Sequence, residues 1–245
     1  MVNIAVLIPA TSKNRNWSTI EETDLYEILF KSFFTTCDQE HNYTIYLGID
    51  KNDRFYTTHK IQEEIIRFVG VMKNTNIKFI NFDRKYNGNV CYIWNELFRI
   101  SYDEDNDYFV QVGSDINFID KGWSNACIKK LEENNNIGVV GLTDQGRKNI
   151  NSYDTLLTQT VVSRKHMDIF GFYYPPSFKN WFVDNWISEI YSMYSYKFIV
   201  PHKIFNLGGE PRYKIHGDRQ LCDENIKQYE EKLKMFLFGE NNLLK

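Results

Sequence analysis

The stretch Asp107-Tyr108-Phe109-Val110-Gln111-Val112-Gly113-Ser114-Asp115 runs from a largely apolar, β-forming segment into glycine, serine and a carboxylate. Such a run, bounded by turn residues, reads as a buried strand with a polar tip. Working outward, Asn3 to Pro9, Tyr43 to Ile49 and Ile77 to Phe82 precede it with the same character. Ile137 to Leu142, Thr158 to Ser163 and Tyr196 to Val200 follow it, the last closed by Pro201. Between these strands apolar residues recur at helical spacing. Tyr26, Leu29, Phe30, Phe33 and Phe34 follow a Ser18/Glu21 capping-box pattern, and Ile61, Ile65, Phe68, Val69 and Met72 form a second stripe. Val90, Ile93, Trp94, Leu97 and Phe98 form a third, and Trp123 to Leu131 another helix. Further stripes are Val183, Trp186, Ile187, Ile190, Tyr191 and Tyr194, and finally Ile226, Tyr229, Leu233, Phe236 and Leu237. Strands alternating with helices of this length predict an α/β fold, a mostly parallel sheet with helices on both faces.

The chain has 245 residues, 42% of them hydrophobic and 16% aromatic, enough for one large domain with a full core and too apolar for intrinsic disorder. No Ser/Pro/Gly linker, repeat or charge block marks a boundary. We read 1–245 as a single domain, with 1–117 as the ligand-binding half, 118–220 as the half for a second substrate and 221–245 as a C-terminal helix. Lys plus Arg number 29 against 32 Asp plus Glu, a net charge of −3, so no global positive field points to nucleic acid or anionic lipid. No apolar run approaches the roughly 20 residues of a membrane helix. The start lacks a basic n-region with a cleavage site, and the expected location is cytoplasmic. Cys37, Cys91, Cys127 and Cys222 are far apart with no CxxC pair, the pattern of reduced thiols rather than a zinc site.

In an open α/β sheet ligands bind beyond the carboxyl ends of the strands. Those tips carry Pro9-Ala10-Thr11, Asp50-Lys51-Asn52-Asp53, Arg84 to Asn89 and Ser114-Asp115-Ile116-Asn117, with Asp184, His202 and His216 later in the chain. Acids and a histidine at the rim of a parallel sheet suit a hard divalent cation that neutralises a diphosphate. Each residue also has an ordinary reading. Asp50 or Asp53 caps a following helix, Asp115 ends a strand as a turn residue, and Asp184 complements a helix N-terminus. Arg164 and Arg219 have the geometry to fork a phosphate but are equally well exposed charges. Trp181, Tyr173 and Tyr174 are candidates for a sugar platform or for core packing.

The succession of elements resembles the GT-A glycosyltransferases, most closely the family 2 type. Val6-Leu7-Ile8-Pro9-Ala10-Thr11 resembles the first strand and donor loop, and Gly48-Ile49-Asp50-Lys51-Asn52-Asp53 the acidic end of the second strand. Asn87-Gly88 with Asn95 is similar to the loop and helix before the metal motif, and the opening stretch to the strand that delivers Asp-x-Asp. Gly122-Trp123 resembles the next helix, Val162-Ser163-Arg164-Lys165 through Phe172 the stretch before the acceptor site, and Trp181-Phe182-Val183-Asp184 the segment presenting the base. Gly113 stands in the first acidic position of Asp-x-Asp, leaving Asp115 as the carboxylate there.

The resemblance implies transfer of a sugar from a nucleoside diphosphate sugar, UDP-linked by preference, to a hydroxyl of a glycan, protein or lipid-linked acceptor, with inversion. It implies Pro9, Thr11, Asp50, Asp53, Asn87, Ser114, Asp115 and Arg164 at the donor and Asp184 as catalytic base. It further implies Mn²⁺ or Mg²⁺ on Asp115, with His216, or failing that His202, as a further ligand. A pyrophosphorylase of related fold carries a glycine-rich first loop, whereas Pro9 to Arg15 contains no glycine. A binding protein that keeps the fold without turnover is the alternative.

Overall fold

The computed structural model describes residues 1–147, 156–207 and 213–239. In order, the elements are β1 (Asn3–Ala10), α1 (Lys31–Thr36), β2 (Asn42–Asp50), α2 (His59–Val69), β3 (Thr75–Phe82), α3 (Val90–Asp103), β4 (Tyr108–Gln111) and β5 (Ile116–Phe118). Then come α4 (Trp123–Glu132), β6 (Val139–Asp144), β7 (Thr160–Ser163), α5 (Arg164–Phe170), α6 (Val183–Ser192), β8 (Lys197–Asn206) and α7 (Arg219–Phe238). Among the described residues the strands form one sheet in the order β3-β2-β1-β4-β7-β6-β8-β5. The β3-β2-β1-β4 half is parallel, as is the β6-β8 pair, whereas β7 and β5 run antiparallel to their neighbours. The predicted α/β sheet with flanking helices is therefore present, as a single body. Residues 240–245, the end of the expected C-terminal helical segment, lie outside the described residues.

Period-two alternation builds two cores. In β1, Ile4, Val6 and Ile8 face one side with Phe33 of α1, Ile65 of α2 and Trp123 of α4. Ala5 and Leu7 face the other, with Leu97 and Phe98 of α3 and Trp186 and Tyr191 of α6. Both faces of the central parallel strands β1, β2 and β4 are covered, which is why those strands read as apolar runs, while β3 at the sheet edge is partly exposed.

Three local expectations are corrected. The capping-box acid is Glu22, which accepts from the N–H groups of Ser18 (2.5 Å) and Thr19 (3.3 Å) and so sits one residue beyond the Ser18/Glu21 pattern. The following helix starts as a π-helical stretch, Leu25–Phe30, before α1. Pro201 does not close its strand: β8 continues to Asn206, because the β6-β8 register shifts between Leu142 and Thr143 and their partners Val200 and Lys203. Proline, with no N–H to give, fits that irregularity. The prolonged β8 also pairs with β5, which places Asn117 within a strand rather than in the loop at the tip of β4.

Candidate functional site

Because β1, β2 and β4 are parallel and in register, with Leu7 beside both Tyr46 and Gln111, their carboxyl ends emerge along one edge. A cavity of about 380 Å³ opens there. Pro9, Thr11 and Arg15 form its β1 side, and Asp50 its β2 side. Gly113, Ser114 and Asp115 enter from beyond β4, Gly88 and Trp94 from the start of α3, and Asn180, Trp181 and Tyr213 from the later half of the chain. Pro9, Thr11, Asp50, Ser114 and Asp115 are thus brought together as the strand tips foretold.

The two acids after β2 separate. Asp53 is 7% exposed and its carboxylate is fully engaged. It accepts from the Ser12 N–H (2.6 Å) and hydroxyl (2.9 Å) and from the N–H groups of Phe55 (3.0 Å) and Tyr56 (2.9 Å). It ties the β1 loop to the β2 loop and does not line the cavity. Asp50 does line it, accepting at 2.5 Å from the hydroxyl of Tyr213. With the Asn87 amide turned by half a revolution, its nitrogen lies 3.0 Å from the second Asp50 oxygen and 3.3 Å from the Arg84 carbonyl. Burial holds the Asp50 carboxyl above the usual carboxylate range, and the neighbouring charge of Asp53 adds to this, while the Tyr213 hydroxyl works in the opposite direction.

Asp115 is half-buried at the tip of β4, its backbone carbonyl accepting from the Leu207 N–H (3.3 Å). A Cβ on Gly113 would lie 2.7 Å from Asp115 Oδ1. The glycine therefore makes room for the carboxylate to fold back, and a second acid at that position would displace the first. Among the described residues no group of three or more His, Cys, Asp or Glu side chains is gathered to hold a metal ion. The donors present are hard oxygens, the Asp115 carboxylate and the Ser114 hydroxyl. That set fits Mg²⁺ or Mn²⁺ only as ions that keep water and draw further ligands from a bound phosphate.

His216 sits at the rim on an exposed segment. Its N–H donates to Asn180 Oδ1 (2.8 Å) and its carbonyl accepts from the Trp181 N–H (3.0 Å). His202 is elsewhere: its Nε2 lies 3.7 Å from where a Cβ on Gly122 would be, at the irregular step of β8. Asp184 lies in the first turn of α6, half-buried, three residues beyond Trp181 and outside the cavity lining. Its charge reaches Cys91 and Tyr174, adding to the burial that raises both groups.

Arg164 is a correction. Its Nη1 donates to the carbonyls of Tyr102 and Asn106 (3.0 Å each), and its guanidinium lies 3.8 Å from the centre of the Tyr102 ring. These contacts sit before the start of β4, at the opposite pole of the sheet, so Arg164 cannot touch a ligand in the cavity. Arg219 is likewise committed, to Glu189 (2.6 Å) and Asp223 (2.6 Å). Tyr173 and Tyr174 are buried and form no platform, whereas Trp181 is exposed.

Sequence reading missed Arg15, Trp94, Asn180 and Tyr213. Arg15 lies within the glycine-free loop and pairs loosely with Asp24 (4.0 Å), which also lines the cavity. The Trp94 indole N–H donates to the Leu7 carbonyl (3.3 Å), on the same helical stripe that announced α3. Tyr213 carried no signal, being far along the chain in an irregular segment.

No protein-family model matches the sequence, and no curated protein matches it. Solved structures do. A Staphylococcus aureus TarS fragment (residues 1–349) in complex with UDP-GlcNAc superposes with a TM-score of 0.57 at 12% identity, over 100% of this chain and 76% of that one. The same fragment with UDP gives 0.53 at 11%, over 98% and 73%, and without ligand 0.56 at 12%, over 100% and 76%. At that identity the likeness concerns architecture, and the chain has the GT-A type fold of those structures.

Proposed function

We propose that the protein is a glycosyltransferase that takes a sugar from a nucleoside diphosphate donor, a UDP-sugar by preference. The observation that carries this reading is the cavity at the carboxyl ends of β1, β2 and β4, walled by Thr11, Asp50, Ser114 and Asp115. It is supported by a fold shared with a protein crystallised with UDP-GlcNAc and with UDP.

Asp50 binds the nucleoside, with Asn87 and Tyr213 holding its carboxylate. Thr11 and Ser114 offer hydroxyls to the diphosphate. A Mg²⁺ or Mn²⁺ ion on Asp115, with His216 as a further ligand, would supply Lewis-acid stabilisation of the departing diphosphate. Asp184 accepts the proton of the acceptor hydroxyl as its oxygen bonds to the anomeric carbon. The bond from that carbon to the diphosphate oxygen breaks, the nucleoside diphosphate leaves with the electron pair, and configuration inverts. The acceptor is a glycan, protein or lipid-linked hydroxyl. Among the described residues no helix is long and apolar enough to cross a membrane. The four cysteines are buried and unpaired, in keeping with the reducing cytoplasm as its compartment.

The test is incubation with a panel of UDP- and GDP-sugars plus Mn²⁺, scored for released nucleotide. Turnover is expected with a UDP-sugar. In Asp184→Asn it should fall by at least about 100-fold, the scale of general-base catalysis, with UDP affinity within about twofold. Gly113 in place of an acid favours one second reading, a donor-binding protein without turnover. Binding without nucleotide release would establish that alternative.

A further inference from the structure

Trp181 stands at the cavity rim with 47% of its surface exposed. An indole left in water forgoes the burial that normally rewards it, yet the surroundings hold its backbone firmly. Its backbone N–H donates to the His216 carbonyl (3.0 Å). The preceding Asn180 spends its whole side chain on the scaffold, donating to the carbonyls of Gly88 (3.1 Å) and Lys214 (3.0 Å) and accepting from the His216 N–H (2.8 Å). On one flank Gly217 approaches so closely that a Cβ would lie 2.5 Å from the Trp181 carbonyl oxygen, and its φ of +125° also calls for glycine. On the other, Phe182 holds a left-handed φ of 68°, a strained choice for an aromatic residue. Segments from the start of α3, the approach to α6 and residues 213–217 thus all anchor the backbone from which this exposed ring projects.

We infer that Trp181 is a stacking platform for a pyranose ring of the acceptor, which makes the acceptor a carbohydrate rather than a bare peptide hydroxyl or a lipid phosphate. The inference rests on the glycosyltransferase reading above. A pyranose offers an apolar C–H face to the electron-rich face of an indole and hydroxyls around its edge. The exposed Lys214 beside Trp181 is suited to those hydroxyls. The nucleoside is assigned to Asp50 and Tyr213, while Trp181 stands three residues before Asp184, the proposed base.

The experiment titrates the full chain, saturated with UDP and Mn²⁺, with maltotriose, cellotriose, N-acetylchitotriose and a Ser/Thr-containing peptide. Each is followed by saturation-transfer NMR and tryptophan fluorescence, with UDP affinity measured separately by calorimetry. We expect a trisaccharide, and not the peptide, to bind. Trp181→Ala should weaken that binding at least about tenfold, equivalent to about 1.4 kcal/mol, while Trp181→Phe retains most of it. UDP affinity should stay within twofold. Equal saccharide affinity in Trp181→Ala, binding of the peptide alone, or UDP binding with no saccharide binding would overturn the platform and leave the donor site standing. A tenfold loss of UDP affinity in Trp181→Ala would assign the ring to the nucleobase and also overturn it. Failure of the wild-type chain to bind UDP at all would instead refute the glycosyltransferase reading.

Discussion

Asp50 and Asp53 stand three residues apart at the end of one strand, and their surroundings predict opposite consequences for their removal. Asp53→Ala strips an acceptor from three backbone N–H groups, those of Ser12, Phe55 and Tyr56, and from the Ser12 hydroxyl. Hydrogen bonds to a charged acceptor are worth about 1.5–3 kcal/mol each. Water reaching the half-exposed Ser12 recovers part of that sum, which leaves an expected loss of about 3–5 kcal/mol, a large share of an ordinary domain's stability. Asp53→Asn, which keeps one acceptor oxygen, should lose about half as much. Asp50→Asn removes a carboxylate that burial and Asp53 already disfavour, and an amide oxygen still accepts from Tyr213. Its stability should change by less than about 1 kcal/mol, whereas UDP affinity should drop at least about tenfold. Urea unfolding followed by circular dichroism gives the first quantity and calorimetric titration with UDP the second. Equal losses of stability in the two alanine or asparagine variants, or an Asp53→Ala protein within 1 kcal/mol of wild type, would refute this division of labour.

His166 is 1% exposed, between the Tyr191 hydroxyl (2.9 Å) and the Tyr173 carbonyl (2.9 Å), and burial lowers its pKa from 6.5 to about 4. The folded state therefore resists a proton that the unfolded chain accepts. The stability this contributes is complete above pH 6.5 and is lost toward pH 4 at about 1.4 kcal/mol per unit, about 3 kcal/mol in all. Between pH 7 and pH 5, urea titrations of His166→Gln should show a fall smaller than wild type by about 2 kcal/mol, and parallel slopes would contradict the assignment. Arg164→Ala loses two hydrogen bonds and a ring contact remote from the cavity. It should cost about 2 kcal/mol, several degrees in melting temperature, with UDP affinity unchanged; weakened UDP binding would return Arg164 to the donor site.

The parallel half of the sheet was legible because β1, β2 and β4 are covered on both faces and so write apolar runs into the sequence, while the edge strand β3 keeps exposed Asn76, Lys78 and Asn81. The longer helices were legible from their stripes, whereas α5, only seven residues long, was not. Short or irregular strands were not: β5 has three residues and owes its existence to β8 across the sheet, and β8 passes through a proline at a register shift that only its partner strand reveals. The same division applies to the site. Residues directly after a strand, such as Thr11, Asp50 and Asp115, are positioned by local chain geometry. Tyr213 reaches Asp50 across 163 positions of sequence, and Asn180 bridges three segments; neither contact follows from local spacing. Arg164 was misplaced for a related reason. It follows β7, which runs antiparallel to β4, so the end of β7 lies at the pole opposite the cavity.

The central claim is that the carboxyl edge of β1, β2 and β4 holds a nucleoside diphosphate. A crystal structure of the protein grown with UDP and Mn²⁺ tests it most directly. The account predicts the nucleoside against Asp50, the diphosphate between Thr11, Ser114 and Asp115, and the Asp115 carboxylate toward the ion. Nucleotide density bound outside this cavity, or against it with Asp50 and Asp115 both uninvolved, would contradict it.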